Sequence, residues 1–373
     1  MKYIKILLTL FLLTGCIVSE EEKYGKQELP QSNNNKVSFI AVGDNIMHEQ
    51  LIKEAKKDNT YDFTPYYSEV RQYIEKADLA FVNQETILGG KDKGYTGYPL
   101  FNTPDEMAKC LSDIGFDIVN GGTNHAIDQG ESGITHSLNV FKQYDNLTYI
   151  GLRQEDIPVV EKNGIRIAFL SYNQFINYEQ ETDSLRQFNE DLMKQDVENA
   201  KEISDVIIAS CHYGIENSTK LGDKQQRYSQ LLADLGVDVI LGTHSHTLQP
   251  VKWIEGKEGN KTLVAYSLGN FISGMLDEEC QLGGMLSFDI VEENNSFSIE
   301  NATLTPLMNH YKTKSIANIW GSRYDFKVYR LKDYTDALAS EHGLNGYEGI
   351  KISLEKMKQK VKDRVQEGIN IDM

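Results

Sequence analysis

The chain has 373 residues, and 38 Lys and Arg against 55 Asp and Glu give it a formal net charge of −17 at pH 7. With 40% hydrophobic and 25% charged residues its composition is that of an ordinary globular protein, which excludes disordered, collagen-like and disulfide-scaffold chains, and the length suits one large α/β domain or two smaller ones. The acidic balance disfavours nucleic acid and anionic membrane surfaces as partners, so an anionic substrate would need a local positive centre such as a metal.

At the N-terminus, Lys2 and Lys5 precede the apolar stretch Ile6 to Leu13, the layout of a secretion signal. That stretch is too short for a permanent span, which needs about 20 residues. It ends in Leu13-Thr14-Gly15-Cys16, which resembles the bacterial lipobox. The expectation is therefore a signal peptide over 1–15, lipid on Cys16, and a protein held to the extracytoplasmic face of the cell membrane. Residues 16–36 contain Glu20-Glu21-Glu22 and Asn33-Asn34-Asn35 with almost no apolar pattern, and read as a flexible tether. Beyond Cys16 only Cys110, Cys211 and Cys280 remain, an odd number without a CxxC spacing, so disulfides are not the expected framework.

From Lys36 onward, short apolar strands alternate with stretches of helical spacing. Strands are expected at Val37 to Val42, Leu79 to Val82, Asp117 to Val119, Val206 to Ser210, Val237 to Leu241 and Leu263 to Leu268. Helical patterns fall at Pro65 to Lys76, His136 to Tyr144 and Asn189 to Ile203. Such alternation predicts crossover units and a parallel or mixed sheet covered on both faces. In open sheets of this kind, ligands bind beyond the carboxyl ends of the strands. Six strand ends here deliver Asp44, Glu85, Asn124 with His125, His212, His244 with His246, and Asn270. Imidazole nitrogens and carboxylate or amide oxygens suit divalent transition metals, so these residues are predicted to converge on a metal site.

The segments Gly43-Asp44, Asn83-Gln84-Glu85-Thr86, Asn124-His125-Ala126-Ile127-Asp128, His212-Tyr213-Gly214-Ile215-Glu216, Gly242-Thr243-His244-Ser245-His246 and Ser267-Leu268-Gly269-Asn270-Phe271 resemble the successive motifs of the CapA family. These are capsule-synthesis, poly-γ-glutamate-associated proteins related to the calcineurin-like metallophosphoesterases. Phe101-Asn102-Thr103-Pro104 and Gln249-Pro250 fit the same pattern, and the resemblance covers about Val37 to Pro306.

The resemblance implies an α/β/β/α metallophosphoesterase-like sandwich with mixed sheets over 37–310, followed by a helical C-terminal extension over 311–373. It further implies one or two divalent ions (Mn, Fe or Zn). Asp44 would bind the first, Glu85 would stand at the bridging position, and Asn124, His212 and His244 would hold the second, with His246 returning to the first. His125 would face the substrate as general acid or charge stabiliser. Apart from the resemblance, Asp128, three residues after His125, and Glu216, four after His212, are read as carboxylates that orient those imidazoles, or else as helix-start or loop charges. The implied partners are an anionic polymer such as poly-γ-glutamate and membrane proteins of a capsule machine.

The sequence departs from the metallophosphoesterase pattern in three places. Ile46 occupies the position where the first motif has a His, and His48 is the nearest replacement. Glu85 is one methylene longer than the usual Asp. Tyr213 replaces a Trp. Asn270 is read both as part of the Gly-Asn-Phe motif and as ordinary turn chemistry. Two functions follow: a metal-dependent hydrolase acting on a phosphoester, anhydride or peptide-like bond, or a polymer-binding and assembly component without turnover.

The last stretch, Tyr311 to Tyr334, is rich in Lys, Arg and aromatics and is read first as a solvated face packed on the main domain and second as a contact for a polyanion such as polyglutamate. Ile350, Leu354, Met357, Val361 and Val365 predict a terminal amphipathic helix.

Overall fold

In the computed structural model, which describes residues 35–153, 156–177 and 182–373, strand side chains alternate between two separate cores. Along the strand Ile165–Asn173, Ile165, Ile167 and Phe169 join the cluster that holds Phe39 and Val42, and the Phe39 and Phe169 rings stack 6.2 Å apart. Ala168, Leu170 and Tyr172 join a second cluster with Met193, Val197 and Ala200 of the helix Glu190–Ile203. A strand whose faces are both apolar has to be covered on both sides, here by another sheet and by a helix. Cys16, the expected signal peptide and nearly all of the expected tether lie outside the described residues.

Among the described residues the chain forms a nine-stranded and a six-stranded sheet. In the larger sheet Lys36–Asn45, Leu79–Gln84, Ile118–Asn120 and Thr148–Ile150 run parallel in that order, and Leu282–Glu293 pairs antiparallel on the other side of Lys36–Asn45. The smaller sheet places Ile165–Asn173, Val206–His212, Val239–Thr243 and Lys261–Ala265 in parallel, with antiparallel strands at both edges. The fold is thus α/β with two mixed sheets, and the parallel strands of each sheet end on one side. No helix among the described residues is long and apolar enough to cross a membrane.

Local chemistry explains where the helices start. Asn189 caps Glu190–Ile203 by accepting from the Asp191 and Leu192 amides, and Ser353 accepts from Lys356 at the start of Leu354–Lys362. This last helix buries Met357 and Val361, but it excludes Ile350 and Val365 and is shorter than the apolar spacing predicts. The expected helix at Pro65 to Lys76 is broken into a 3-10 turn at Thr64–Tyr67 and a short helix at Arg71–Ile74. There the Tyr66 and Tyr67 hydroxyls donate to Leu51 O and Asn45 Oδ1, both at 2.6 Å, so tertiary anchoring overrides the helical spacing.

The expected boundary at residue 310 falls inside the strand Ser296–Thr313. Arg323–Arg330 then adds to the edge of the large sheet, and Phe326, Val328, Leu344, Met357 and Val361 enter the main core. The C-terminal segment is therefore part of the domain, and strand as well as helix.

This segment also sets an acid response. His342 is buried, its Nε2 lies 3.0 Å from Asn309 O, and its Nδ1 accepts from the Leu344 amide at 3.1 Å. Burial, reinforced by His310, lowers its pKa from 6.5 to about 3. Between these values the unfolded chain binds a proton that the folded chain refuses, so stability falls as pH drops below 6.5. At pH 5, about 1.5 units below, this single residue should remove about 2 kcal/mol. Urea midpoints at pH 7.5 and pH 5 should therefore differ less in His342→Gln than in the wild type, and an equal difference would refute the assignment.

Candidate metal centre

The close approach of two strand ends shapes the floor of the site. A Cβ on Gly43 would lie 1.9 Å from Gly269 O, and the absence of one lets the Asp44 amide donate to that carbonyl at 2.9 Å. The ladder with Leu79–Gln84 shifts register between Val42 and Asp44, so Gly43 is passed over and Asp44 pairs with Asn83. Parallel register then aligns Asn270, Asp44, Asn83 and Asn120 across four neighbouring strands. In the other sheet, Asn173, His212 and Thr243 form a matching row.

Two groups of donor atoms meet above these rows, Asp44 with Glu85 and His246, and Glu85 with His212 and His244, each with its atoms within 4.8 Å of one another. Glu85 belongs to both. His246 Nδ1 is 3.1 Å from Asp44 Oδ2, and its Nε2 is 3.6 Å from Glu85 Oε1. His212 Nε2 lies 3.1 Å from His244 Nδ1 and 2.9 Å from Asn124 Oδ1, which adds the amide oxygen to the second group. His244 and His246 both adopt positive φ (91° and 59°), an unusual backbone for side chains of this size and a form of strain found at ligand sites.

The electrostatics of the cluster fit a cation. Both Glu85 carboxylate oxygens are buried without a hydrogen-bond partner among the described residues. Burial, then the Asp44 and Glu216 charges, push its carboxyl well above the usual carboxylate range. Burial and the neighbouring imidazoles hold His212 and His244 well below the ordinary histidine value, and neutral imidazole is the form that ligates. A carboxylate left without donors beside neutral imidazoles and a second carboxylate is a donor set that a divalent ion completes.

Other side chains orient the ligands. Ser171 donates to Asn120, Asn120 to Asn83 and Asn83 to Asp44, at 2.7, 2.7 and 2.8 Å. His212 Nδ1 is hydrogen-bonded to Thr243 Oγ1 at 2.9 Å, and Thr123 donates to Glu85 O at 2.7 Å. These supports are not among the expected site residues, although Asn83 opens the segment Asn83-Gln84-Glu85-Thr86 and Asn120 directly follows the expected strand Asp117 to Val119. Their signal is positional, because Asn83 sits one strand and Asn120 two strands over from Asp44 at the same level of the sheet.

The remaining expected site residues divide. His125 stands beside the two ligand groups and outside both; its Nδ1 is 2.7 Å from Asp128 Oδ2 and 3.0 Å from Asn177 Nδ2, and its ring meets Phe101 edge-on at 4.6 Å. Asp128 also accepts from the Phe101 amide at 2.8 Å. The expected orienting contact from Glu216 is not made: Glu216 is exposed, and Thr243 holds the His212 ring instead. Ile46 is buried, with its amide bonded to Ile272 O. His48 belongs to neither ligand group; its Nδ1 accepts from the Gly274 amide at 3.1 Å, and burial, reinforced by Arg323, lowers its pKa to about 3. Asn270 donates to Cys280 O at 3.1 Å, while its buried Oδ1 has no partner among the described residues.

Comparison with known proteins places this arrangement in a family. The model described as bacterial capsule synthesis protein PGA_cap matches residues 38–275, a range that contains all the ligand residues above. The capsule biosynthesis protein CapA of Bacillus anthracis is 28% identical over 257 residues, covering 64% of this chain and 60% of that protein. The PGA biosynthesis protein CapA of Bacillus subtilis (strain 168) is 28% identical over 261 residues, covering 66% of this chain and 67% of that one. The match thus spans about three fifths of the first relative's length. The chain belongs to the bacterial capsule synthesis protein family PGA_cap.

Proposed function

We propose that the chain works in the biosynthesis of a capsular anionic polymer, poly-γ-glutamate or a close relative, with the Asp44, Glu85, Asn124, His212, His244 and His246 cluster as its working centre. The observation that carries this reading is the meeting of family membership with a buried, cation-fitting donor set. Two relatives whose names refer to capsule and PGA biosynthesis support the polymer class.

A divalent ion held there would supply the positive centre that a chain of net charge −17 needs toward an anionic substrate, and would acidify a water. His125, held by Asp128 and braced on Phe101, is placed to hold or move a proton at its Nε2. Asp44 is kept in orientation by the Ser171, Asn120 and Asn83 relay, and the buried surroundings exclude bulk water from Glu85. In this reading the protein is a metal-dependent hydrolase, anchored outside the membrane by lipid on Cys16 with capsule-machine membrane proteins as partners.

Ile46 favours a second reading. It removes the expected imidazole from the Asp44 side and leaves Asp44, Glu85 and His246 as the donors there, which suits polymer binding or assembly without turnover.

The test is genetic and biochemical together. Deleting the gene in its host should lower surface polymer at least tenfold, and His244→Ala should do the same at equal protein level. Cys16→Ser should release the protein from the membrane fraction. Full polymer production by His244→Ala, with the protein shown to be metal-free, would contradict the metal-dependent reading and leave the assembly role.

A further inference from the structure

Arg323 lies outside the residues that the family model matches, at the start of the edge strand Arg323–Arg330, and is only 6% exposed. A buried guanidinium ordinarily has a carboxylate beside it. Arg330, the other arginine among the buried residues, pairs with Asp333 and Asp372. No Asp or Glu among the described residues forms an ion pair with Arg323. Its Nη1 donates to Gly274 O, its guanidinium lies over the Tyr311 and Trp320 rings at 5.5 and 5.6 Å, and its buried Nε has no partner among the described residues.

The position of this charge links it to the ligand cluster. Gly274 is packed between Arg323 and His48: a Cβ there would lie 2.8 Å from His48 Cβ and 3.3 Å from Arg323 Nη1. His48 accepts from the Gly274 amide, so the neutral ring carries its proton on Nε2. The His48 ring meets Phe101 edge-on at 5.3 Å, and Phe101 meets His125 at 4.6 Å. His48 thus stands between Gly274, which the guanidinium touches, and the Phe101 ring that packs against His125. Trp320, whose ring lies against the guanidinium, is itself 62% exposed.

We propose that Arg323, with His48, forms an oxyanion subsite beside the metal-ligand cluster that receives a carboxylate of the extended polymer. The assignment rests on the polymer reading above and adds to it a site that recognises a charged group away from the reacting one. The buried, partly unsatisfied guanidinium is the group that a planar carboxylate satisfies with two parallel hydrogen bonds. An extended polyanion presents such groups at regular intervals, so one can dock at Arg323 while another lies over the ligands.

Arg323→Met tests this in the full chain in detergent micelles, with a poly-γ-glutamate oligomer as probe and metal content matched to the wild type. Oligomer affinity should fall at least tenfold while the thermal midpoint holds or rises, because an unpaired buried charge is replaced by an apolar side chain of similar volume. Equal affinity in the variant and the wild type would overturn the subsite and leave the polymer reading standing. If the wild type binds no poly-γ-glutamate, the polymer reading fails, and polyphosphate of matched length then decides the subsite by the same tenfold criterion. Should Arg323→Met not fold, Trp253→Phe leaves Trp320 as the sole tryptophan. A change in Trp320 emission on saturation with oligomer supports the subsite, and unchanged emission overturns it.

Discussion

Glu85→Gln should abolish metal binding and at the same time stabilise the metal-free protein. The two effects have one cause. Both carboxylate oxygens are buried without donors among the described residues, and the charge that acts on them most strongly is another carboxylate, Asp44. In the metal-free state, desolvation and repulsion both oppose the charged form. The neutral amide removes that charge and can donate to Asp44, which should add about 1–3 kcal/mol of stability. Glu85 is also the residue common to both ligand groups, so its loss should weaken metal affinity by more than about 100-fold. Equilibrium dialysis gives the first quantity, and urea unfolding in chelator gives the second. A variant that is less stable without metal, or that keeps its metal, would show that Glu85 is a structural residue.

Ending the chain after Thr313 should prevent folding altogether. The expected extension over 311–373 supplies Ile319, Phe326, Val328, Leu331, Leu344, Ile352, Met357 and Val361 to the main core, and its strand Arg323–Arg330 covers the edge of Ser296–Thr313. Burying side chains of this size contributes about 1.5–3 kcal/mol each, and the sum for these eight, about 12–24 kcal/mol, matches or exceeds the roughly 5–15 kcal/mol of net stability typical of a folded domain. The strand Ser296–Thr313 would also be left as a long open edge, a template for aggregation. The shortened chain should be insoluble or lack the far-ultraviolet dichroism of the α/β fold. A soluble, cooperatively unfolding product would show that the segment is an appendage.

Much of this fold is legible in the sequence because its signals are local. Runs such as Val206 to Ser210 are apolar on both faces, and the polar residues that follow them, His212 or Thr243-His244, mark where each strand stops. A ligand inventory can therefore be read along the chain without knowing how the strands are ordered. What cannot be read locally depends on register and on distant partners. The alignment of Asn83 and Asn120 with Asp44 follows from parallel pairing among three strands, and the hold of Thr243 on His212 from pairing between two. Glu216 shows the opposite failure, because a carboxylate four residues beyond His212 suggested an orienting contact and the chain turns it outward. The break at Ser68 to Val70 arises because Tyr66 and Tyr67 are fixed by Leu51 and Asn45, residues 15 and 22 positions away. Arg323 is legible only in three dimensions, since nothing in its own stretch of sequence reveals that no carboxylate comes to meet it.

The central claim is that the strand-end cluster holds metal, and metal content by mass spectrometry tests it most directly. The full chain, produced with manganese, iron and zinc available, is compared with the double variant His244→Ala, His246→Ala. At least one divalent ion per chain is expected in the wild type and none in the variant, with the circular dichroism of the two indistinguishable. No ion in the wild type, or an ion that survives loss of both histidines, would contradict the claim.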